Sequence, residues 1–398
     1  MTPETLRIGA QIELDIQNVA NGGFCIARHD GKVVFVRHSL PGERVIAEIT
    51  DITSKFLRAD AVEVVQPSPD RITAPCPYVM SCGGCDWQHA NLPAQRRLKS
   101  EVVIEQLGHL GKVTQVNGAP LGQFQVEPLL PSETGFGWRT RNRFAALGDF
   151  GIGMRISRSH SVVEIDDCLI ATEGAADLAR EALHLGQPEI QTALSSTGQH
   201  VVVNDRGGPF LDEQVEDRRW RIHADSFWQV HREAPKVLVE TVRSFASLRP
   251  GDSLLDLYSG AGLFAACLSK DVGETGTVVA VESAINAVRD ARRSCSDLPQ
   301  LELVTADVTK WVNQNADQQF DVVVLDPPRA GAGAKVIAQI AEMANRAIVY
   351  VSCDPSSLGR DTGLLADLGW SLRRLRGFDA FPMTHHIECV AVFVPAQA

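Results

Sequence analysis

From residue 251 onward the chain repeats one pattern: a short, almost unbroken apolar run, followed in several cases by a stretch long enough for a helix. The runs are SLLDLYS, TVVAVES, LELVTADV, FDVVVLDPP and AIVYVSC. A strand that is apolar throughout has to be covered on both faces, and crossover helices give that cover when the strands run parallel. The pattern predicts an α/β unit on a doubly wound, Rossmann-like sheet, with WSLRRLRGFDAF and HIECVAVFV as two further strands. At 398 residues the chain exceeds what one core sustains, so two or three domains are expected.

Residues 8 to 66 have a different rhythm. QIELDIQNV, GFCIARH, KVVFVRH, RVIAEITDI and ADAVEVVQ are β-branched runs separated by turn residues, with Asp30-Gly31 as a two-residue hairpin signal and Pro41-Gly42 as the next reversal. Five short strands in so few residues predict a small barrel of the oligonucleotide-binding (OB-like) size. A Pro-rich joint, VVQPSPDR, leads to three clustered cysteines, Cys76, Cys82 and Cys85. Then LPAQRRLKSEVVIEQLGHLGK spaces Leu98, Val102, Ile104 and Leu107 as a helix with a glycine stop. The expected division is a barrel at 1–66, a mixed α/β central domain at 67–225 and the doubly wound domain at 226–398.

No basic leader followed by an apolar core opens the chain, and no apolar run is long enough to cross a bilayer. A cytoplasmic protein with no membrane partner is expected, and nothing demands an obligate protein partner, so a monomer suffices. In that compartment disulfides are rare, which turns nine cysteines toward metal binding, nucleophilic chemistry or core packing. Cys82-Gly-Gly-Cys85 by itself fits zinc or an iron-sulfur cluster equally well. The formal net charge of −11 argues against a surface coated all over in nucleic acid but leaves room for a local basic face. Arg139, Arg141 and Arg143 alternate, as one side of a strand would require; a solvated face and a phosphate-binding face both explain them.

Asp256-Leu-Tyr-Ser-Gly-Ala-Gly262 stands where the first strand of the sheet ends. Gly260 and Gly262 let backbone approach a ligand closely, but Ala265 takes the place of the third glycine of a dinucleotide fingerprint. Glu282 and Asp307 close the next two strands, and an ordered set of acids on successive strand tips suits S-adenosylmethionine better than a nicotinamide cofactor. Asp326-Pro-Pro-Arg329 follows the fourth strand as a stiff turn that could meet a flat base. Cys353 stands at the tip of the fifth strand, and Glu388 lies between Ile387 and apolar strand residues, where a carboxylate is costly unless paired or protonated. A thiol and a base beside S-adenosylmethionine point to carbon methylation. Adding a thiolate to carbon 6 of uracil makes carbon 5 nucleophilic, and a base then removes the carbon 5 proton. An amine-directed methyltransferase would need neither residue.

Taken together, LDLYSGAG, DPPRAG, VSCDP and HHIECV resemble the RNA (uracil-5-)-methyltransferase family over nearly the whole chain. The resemblance implies that the barrel is a TRAM domain, an RNA-binding module. It implies that Cys353 is the nucleophile and Glu388 the proton acceptor, and that Gln229, Tyr258, Gly260, Gly262, Glu282, Asp307 and Asp326 surround S-adenosylmethionine. The cysteine stretch resembles the iron-sulfur motif of the ribosomal-RNA branch, which implies a [4Fe-4S] cluster on Cys76, Cys82, Cys85 and Cys168. The substrate so implied is RNA, ribosomal rather than transfer RNA. The rivals are an amine-directed RNA methyltransferase and a non-catalytic iron-sulfur RNA-binding protein. His231, Leu263 and Asp354 stand where many relatives carry asparagine.

Overall fold

The computed structural model describes residues 6–129, 134–148, 151–204 and 208–396. Its first unit is a six-stranded sheet in the order Gln11–Asp15, Arg44–Ile52, Phe56–Gln66, Lys32–Arg37, Cys25–His29, Asn18–Val19. The run QIELDIQNV is broken in two because the chain changes partners there. The Ile16 N–H donates to the Glu43 carbonyl on one edge, and the Gln17 N–H donates to the Ile26 carbonyl on the other. That crossing closes the barrel around Leu14, Val34, Ile49 and Leu57. The hairpin at Asp30-Gly31 is present: both residues have positive φ (47° and 79°), as the tight turn between paired His29 and Lys32 demands.

The middle of the chain forms an antiparallel five-stranded sheet in the order Val162–Ile165, Gly151–Arg155, Arg141–Leu147, Glu189–Leu194, His200–Val203, with the helix Ala175–Glu181 against it. A separate hairpin, Phe210–Val215 with Arg218–His223, follows.

The predicted doubly wound sheet is an α/β layer of eight strands. Leu301–Thr305, Thr277–Glu282, Ser253–Leu257, Phe320–Leu325 and Ala344–Ser352 lie in that order and run parallel. Glu388–Pro395 then enters antiparallel, between Ala344–Ser352 and Trp370–Asp379. The eighth strand, Val126–Pro128, belongs to the segment assigned above to the central domain. Leu92–His109 also comes from that segment, and it packs on the helix Pro355–Asp367 so closely that a Cβ on Gly359 would lie 2.6 Å from the Gln106 carbonyl oxygen. This sheet thus recruits elements from well before residue 226. Val126–Pro128 covers the Trp370–Asp379 edge, which would otherwise present unpaired backbone. Among the described residues no helix is long and apolar enough to cross a membrane.

Candidate active site

The sequence LLDLYSGAG puts a sharp turn directly after a buried strand. Tyr258, Gly260 and Gly262 all take positive φ (61°, 54° and 80°), and Tyr258 does so as a bulky residue, which stores strain at the strand tip. The neighbouring strand holds this turn: the Glu282 carboxylate accepts from the Gly260 N–H at 3.0 Å and from the Ala284 N–H at 2.7 Å. Beyond these tips opens a cavity of about 1010 Å³. Gln229, Tyr258, Gly260, Glu282, Asp326, Cys353 and Glu388 all line it. Seven candidate residues drawn from separate parts of the sequence therefore share one space.

Two others do not reach it. Gly262 lies behind the turn as the N-cap of the helix Leu263–Val272, and Asp307 uses its carboxylate to cap Val308–Gln314 by accepting from the Lys310 N–H at 2.9 Å. Asp256 is buried under the turn and accepts from the Ala265 N–H at 2.8 Å; loss of water pushes it up to about 8. It builds the turn rather than facing a ligand. The three arginines expected on one strand face also separate. Arg139 lines the cavity, Arg141 turns inward to Glu213 at 3.1 Å, and Arg143 stands in solvent 3.7 Å from Glu189. His231, Leu263 and Asp354 lie off the cavity. His231 stacks behind Trp138, Leu263 is core, and Asp354 caps Pro355–Asp367 through the Ser357 N–H.

The reacting end of the cavity is electrostatically tense. Glu388 is 4% exposed, and burial followed by the nearby Asp326 raises it well above the carboxylate range. Asp326 opens partly to the cavity yet is deep enough that desolvation lifts it to about 7. Cys353 is pushed up to about 12 by burial and by the charges of Glu388 and Asp326, against the opposing pull of Arg329. Two carboxylates this close cannot both ionise cheaply, so near neutral pH the pair retains a proton.

Three residues of this wall, His386, His385 and Asp86, were given no role from sequence. His386 lies 3.3 Å through Nε2 from the Arg329 guanidinium, which requires the ring nitrogen to accept, and burial holds that ring neutral. His385 meets Asp86 twice, through Nδ1 at 2.6 Å and through its N–H at 3.0 Å. Asp86 follows Cys85 directly, so the cysteine loop forms part of the wall. The adjacent pair in HHIECV was the available signal, but its partners lie far away in sequence.

Cys76, Cys82, Cys85 and Cys168 line a second, narrow cavity of about 20 Å³. Burial raises the thiols of Cys82, Cys85 and Cys168, with neighbouring cysteines adding to each. Among the described residues no three His, Cys, Asp or Glu side chains converge as a site for one metal ion.

Comparison with known proteins fits this geometry. The family model described as TRAM domain matches residues 6–62, and that described as tRNA (Uracil-5-)-methyltransferase matches 310–395. One described as Protein-L-isoaspartate(D-aspartate) O-methyltransferase matches 205–342, which includes the first strands of the sheet. A Streptomyces coelicolor protein named uncharacterized RNA methyltransferase is 41% identical, over 98% of this chain and 94% of its own. The 23S rRNA (uracil(1939)-C(5))-methyltransferase RlmD of a Shewanella species is 30% identical, over 98% of this chain and 97% of its own. The crystal structure of Pyrococcus abyssi tRNA (uracil-54, C5)-methyltransferase in complex with S-adenosyl-L-homocysteine shares the fold, with a TM-score of 0.73 at 24% identity over 96% of this chain and 99% of that one. On this identity and coverage, the chain belongs to the RNA (uracil-5-)-methyltransferase family and is an S-adenosylmethionine-dependent enzyme.

Proposed function

We propose that the chain methylates carbon 5 of a uridine in 23S ribosomal RNA through a transient bond between Cys353 and carbon 6 of the base. The observation that carries this reading is the shared cavity: Cys353, Glu388, Asp326 and Arg329 line the same space as Gln229, Tyr258, Gly260 and Glu282. Ribosomal RNA is favoured because a relative named for 23S rRNA aligns over nearly the full length of both chains.

Bound S-adenosylmethionine would supply the electrophilic methyl group, and the residues that would hold it are Gln229, Tyr258, Gly260 and Glu282, all of which line the cavity. The uridine must leave its stack to bring both its carbons into the cavity. The Cys353 thiol releases its proton to solvent in the open cavity, Sγ adds to carbon 6, and the ring electrons move toward the carbonyl oxygen at carbon 4. Arg329 is the positive charge available to steady that thiolate. After carbon 5 has taken the methyl group, the Glu388 carboxylate accepts the carbon 5 proton. The returning electrons then expel the thiolate. In the balance, the methyl–sulfur bond of the donor and one C–H bond are broken, one C–C bond is formed, S-adenosylhomocysteine would be left, one net proton is released, and Cys353 regains its own proton from solvent.

The test is a trapping experiment. Glu388→Gln incubated with RNA and S-adenosylmethionine is expected to give a protein–RNA band that survives denaturation, and Cys353→Ala in the same background is expected to remove it. Methyl transfer by Cys353→Ala at the parent rate would instead support the amine-directed rival.

The four thiols of the second cavity are read as ligands of a structural [4Fe-4S] cluster. What supports a cluster over a zinc ion is the resemblance of the cysteine stretch to the iron-sulfur motif of the ribosomal-RNA branch, together with the lining of one small cavity by all four thiols. Anaerobically purified protein should contain iron and labile sulfide, both lost in Cys168→Ala. Zinc without iron would refute the assignment.

A further inference from the structure

Arg329 belongs to a turn whose backbone is fixed from several sides. In Asp326-Pro-Pro-Arg329 two prolines stiffen the approach. Beyond it, the Gly331 N–H donates to the Pro328 carbonyl at 2.7 Å, Arg360 donates to the Ala330 carbonyl at 2.8 Å, and the buried Asp361 carboxylate accepts from the Ala332 N–H at 2.9 Å. None of these bonds reaches the Arg329 side chain, which is exposed and lines the reaction cavity. A long cation so placed keeps its rotamer freedom unless something holds its end. Among the described residues it forms no ion pair; its guanidinium meets His386 Nε2 at 3.3 Å.

His386 is itself firmly held. Its N–H donates to Thr384 Oγ1 at 3.2 Å, and that hydroxyl donates to the Phe381 carbonyl at 2.8 Å. Its ring meets Phe381 edge-on, with centroids 5.9 Å apart at 80°, and lies against His385 at 4.0 Å. The segment that carries it is tied to earlier parts of the chain. Gln95 accepts from the Met383 N–H at 2.8 Å, the buried Lys99 donates to the Phe381 carbonyl at 3.0 Å, and the Asp86 and Trp87 N–H groups donate to the Met383 carbonyl at 2.9 and 3.0 Å. Gly23 of the barrel closes the back, where a Cβ would stand 3.0 Å from His385 Cβ.

The residue type matters as much as its anchoring. A carboxylate at this position would grip Arg329 harder, but it would cancel the charge and set a third acid beside Asp326 and Glu388. A neutral imidazole offers a lone pair without a charge. Burial, with His385 and Arg329 adding to it, lowers the His386 ring to about 3, so it stays neutral. We propose that His386 is a positioning residue, which orients the Arg329 guanidinium over the cavity shared with Cys353 and leaves its charge free to favour the thiolate. The inference rests on the thiolate-addition reading given above and names what aims the cation that reading calls on.

His386→Phe and His386→Leu keep bulk but have no acceptor, whereas His386→Gln returns an acceptor with a reach similar to that of Nε2. In the resting full chain, alkylation of Cys353 by iodoacetamide is followed by peptide mass spectrometry. Both acceptor-free variants should slow it about tenfold, and the glutamine variant should stay within about twofold of the parent. In methyl transfer to RNA the acceptor-free variants should lower kcat about tenfold while KM stays within about twofold. In an Arg329→Met background, His386→Phe should cost less than about twofold more, because the group it positions is gone. Parent alkylation rates in both acceptor-free variants, a glutamine variant as slow as the phenylalanine one, or the same fold loss with and without Arg329 would overturn the proposal. A parent that forms no 5-methyluridine would instead strike the reading on which it rests, and the alkylation series does not depend on that product.

Discussion

Asp326 and Glu388 hold more proton affinity than carboxylates in water, and the pH dependence of the reaction should show it. The competent form must have an ionised acceptor, so acid converts the pair to an inactive state. Because burial raises Glu388 well above the carboxylate range and Asp326 to about 7, the single-turnover rate should still be climbing with pH through about 6 to 8. A profile that stays flat from about pH 6 to 8 would remove the pair from the rate-limiting step. At this scale much of the site was legible. Cys353 and Glu388 announced themselves by position, one at a strand tip and the other among apolar neighbours. Asp307 and Asp256 did not, because an acid at a strand end serves a helix cap or a buried turn as readily as a ligand, and only the hydrogen-bond partners decide. The pairing of Asp86 with His385 is a contact across almost 300 residues of sequence, which no local pattern encodes.

Between elements, the join that holds the fifth strand tip in place is the packing of Leu92–His109 on Pro355–Asp367. Gly359 has no room for a side chain there, since a Cβ would press on the Gln106 carbonyl at 2.6 Å. Gly359→Ala should therefore destabilise the protein by about 1–3 kcal/mol in denaturant unfolding, as overpacking usually does. It should also lower kcat more than it raises KM, because the displaced helix begins two residues after Cys353. Wild-type stability in that variant would mean the helices separate freely. The five parallel strands were readable from their apolar runs, whereas the strand Val126–Pro128 was not. It has three residues, two of them Glu127 and Pro128, and it is a strand only because the edge of another sheet lies beside it. The alternating arginines misled for the opposite reason. Period two places side chains on a face of a strand but cannot foresee that Glu213 will draw Arg141 inward.

Across the whole molecule, the cysteine loop, the middle of the chain and the doubly wound sheet all contribute to one cavity, and a chain with an excess of acid must still attract a polyanion. Binding to single-stranded RNA should weaken linearly as the logarithm of salt concentration rises, and Arg139→Ala, at the cavity wall, should reduce that slope by about 0.7 if one phosphate contact is lost. An identical slope in equilibrium titrations would deny Arg139 any phosphate. Burial has another molecule-wide effect, for the thiols of Cys25, Cys82, Cys85, Cys168, Cys267, Cys295, Cys353 and Cys389 are all held above the ordinary range. Peroxides and alkylating agents attack the ionised sulfur, so a chain awaiting its substrate offers them little at the position that matters most. If Cys353 is the nucleophile proposed above, it is in effect kept in storage, inert toward passing oxidants until a pyrimidine arrives to call on it.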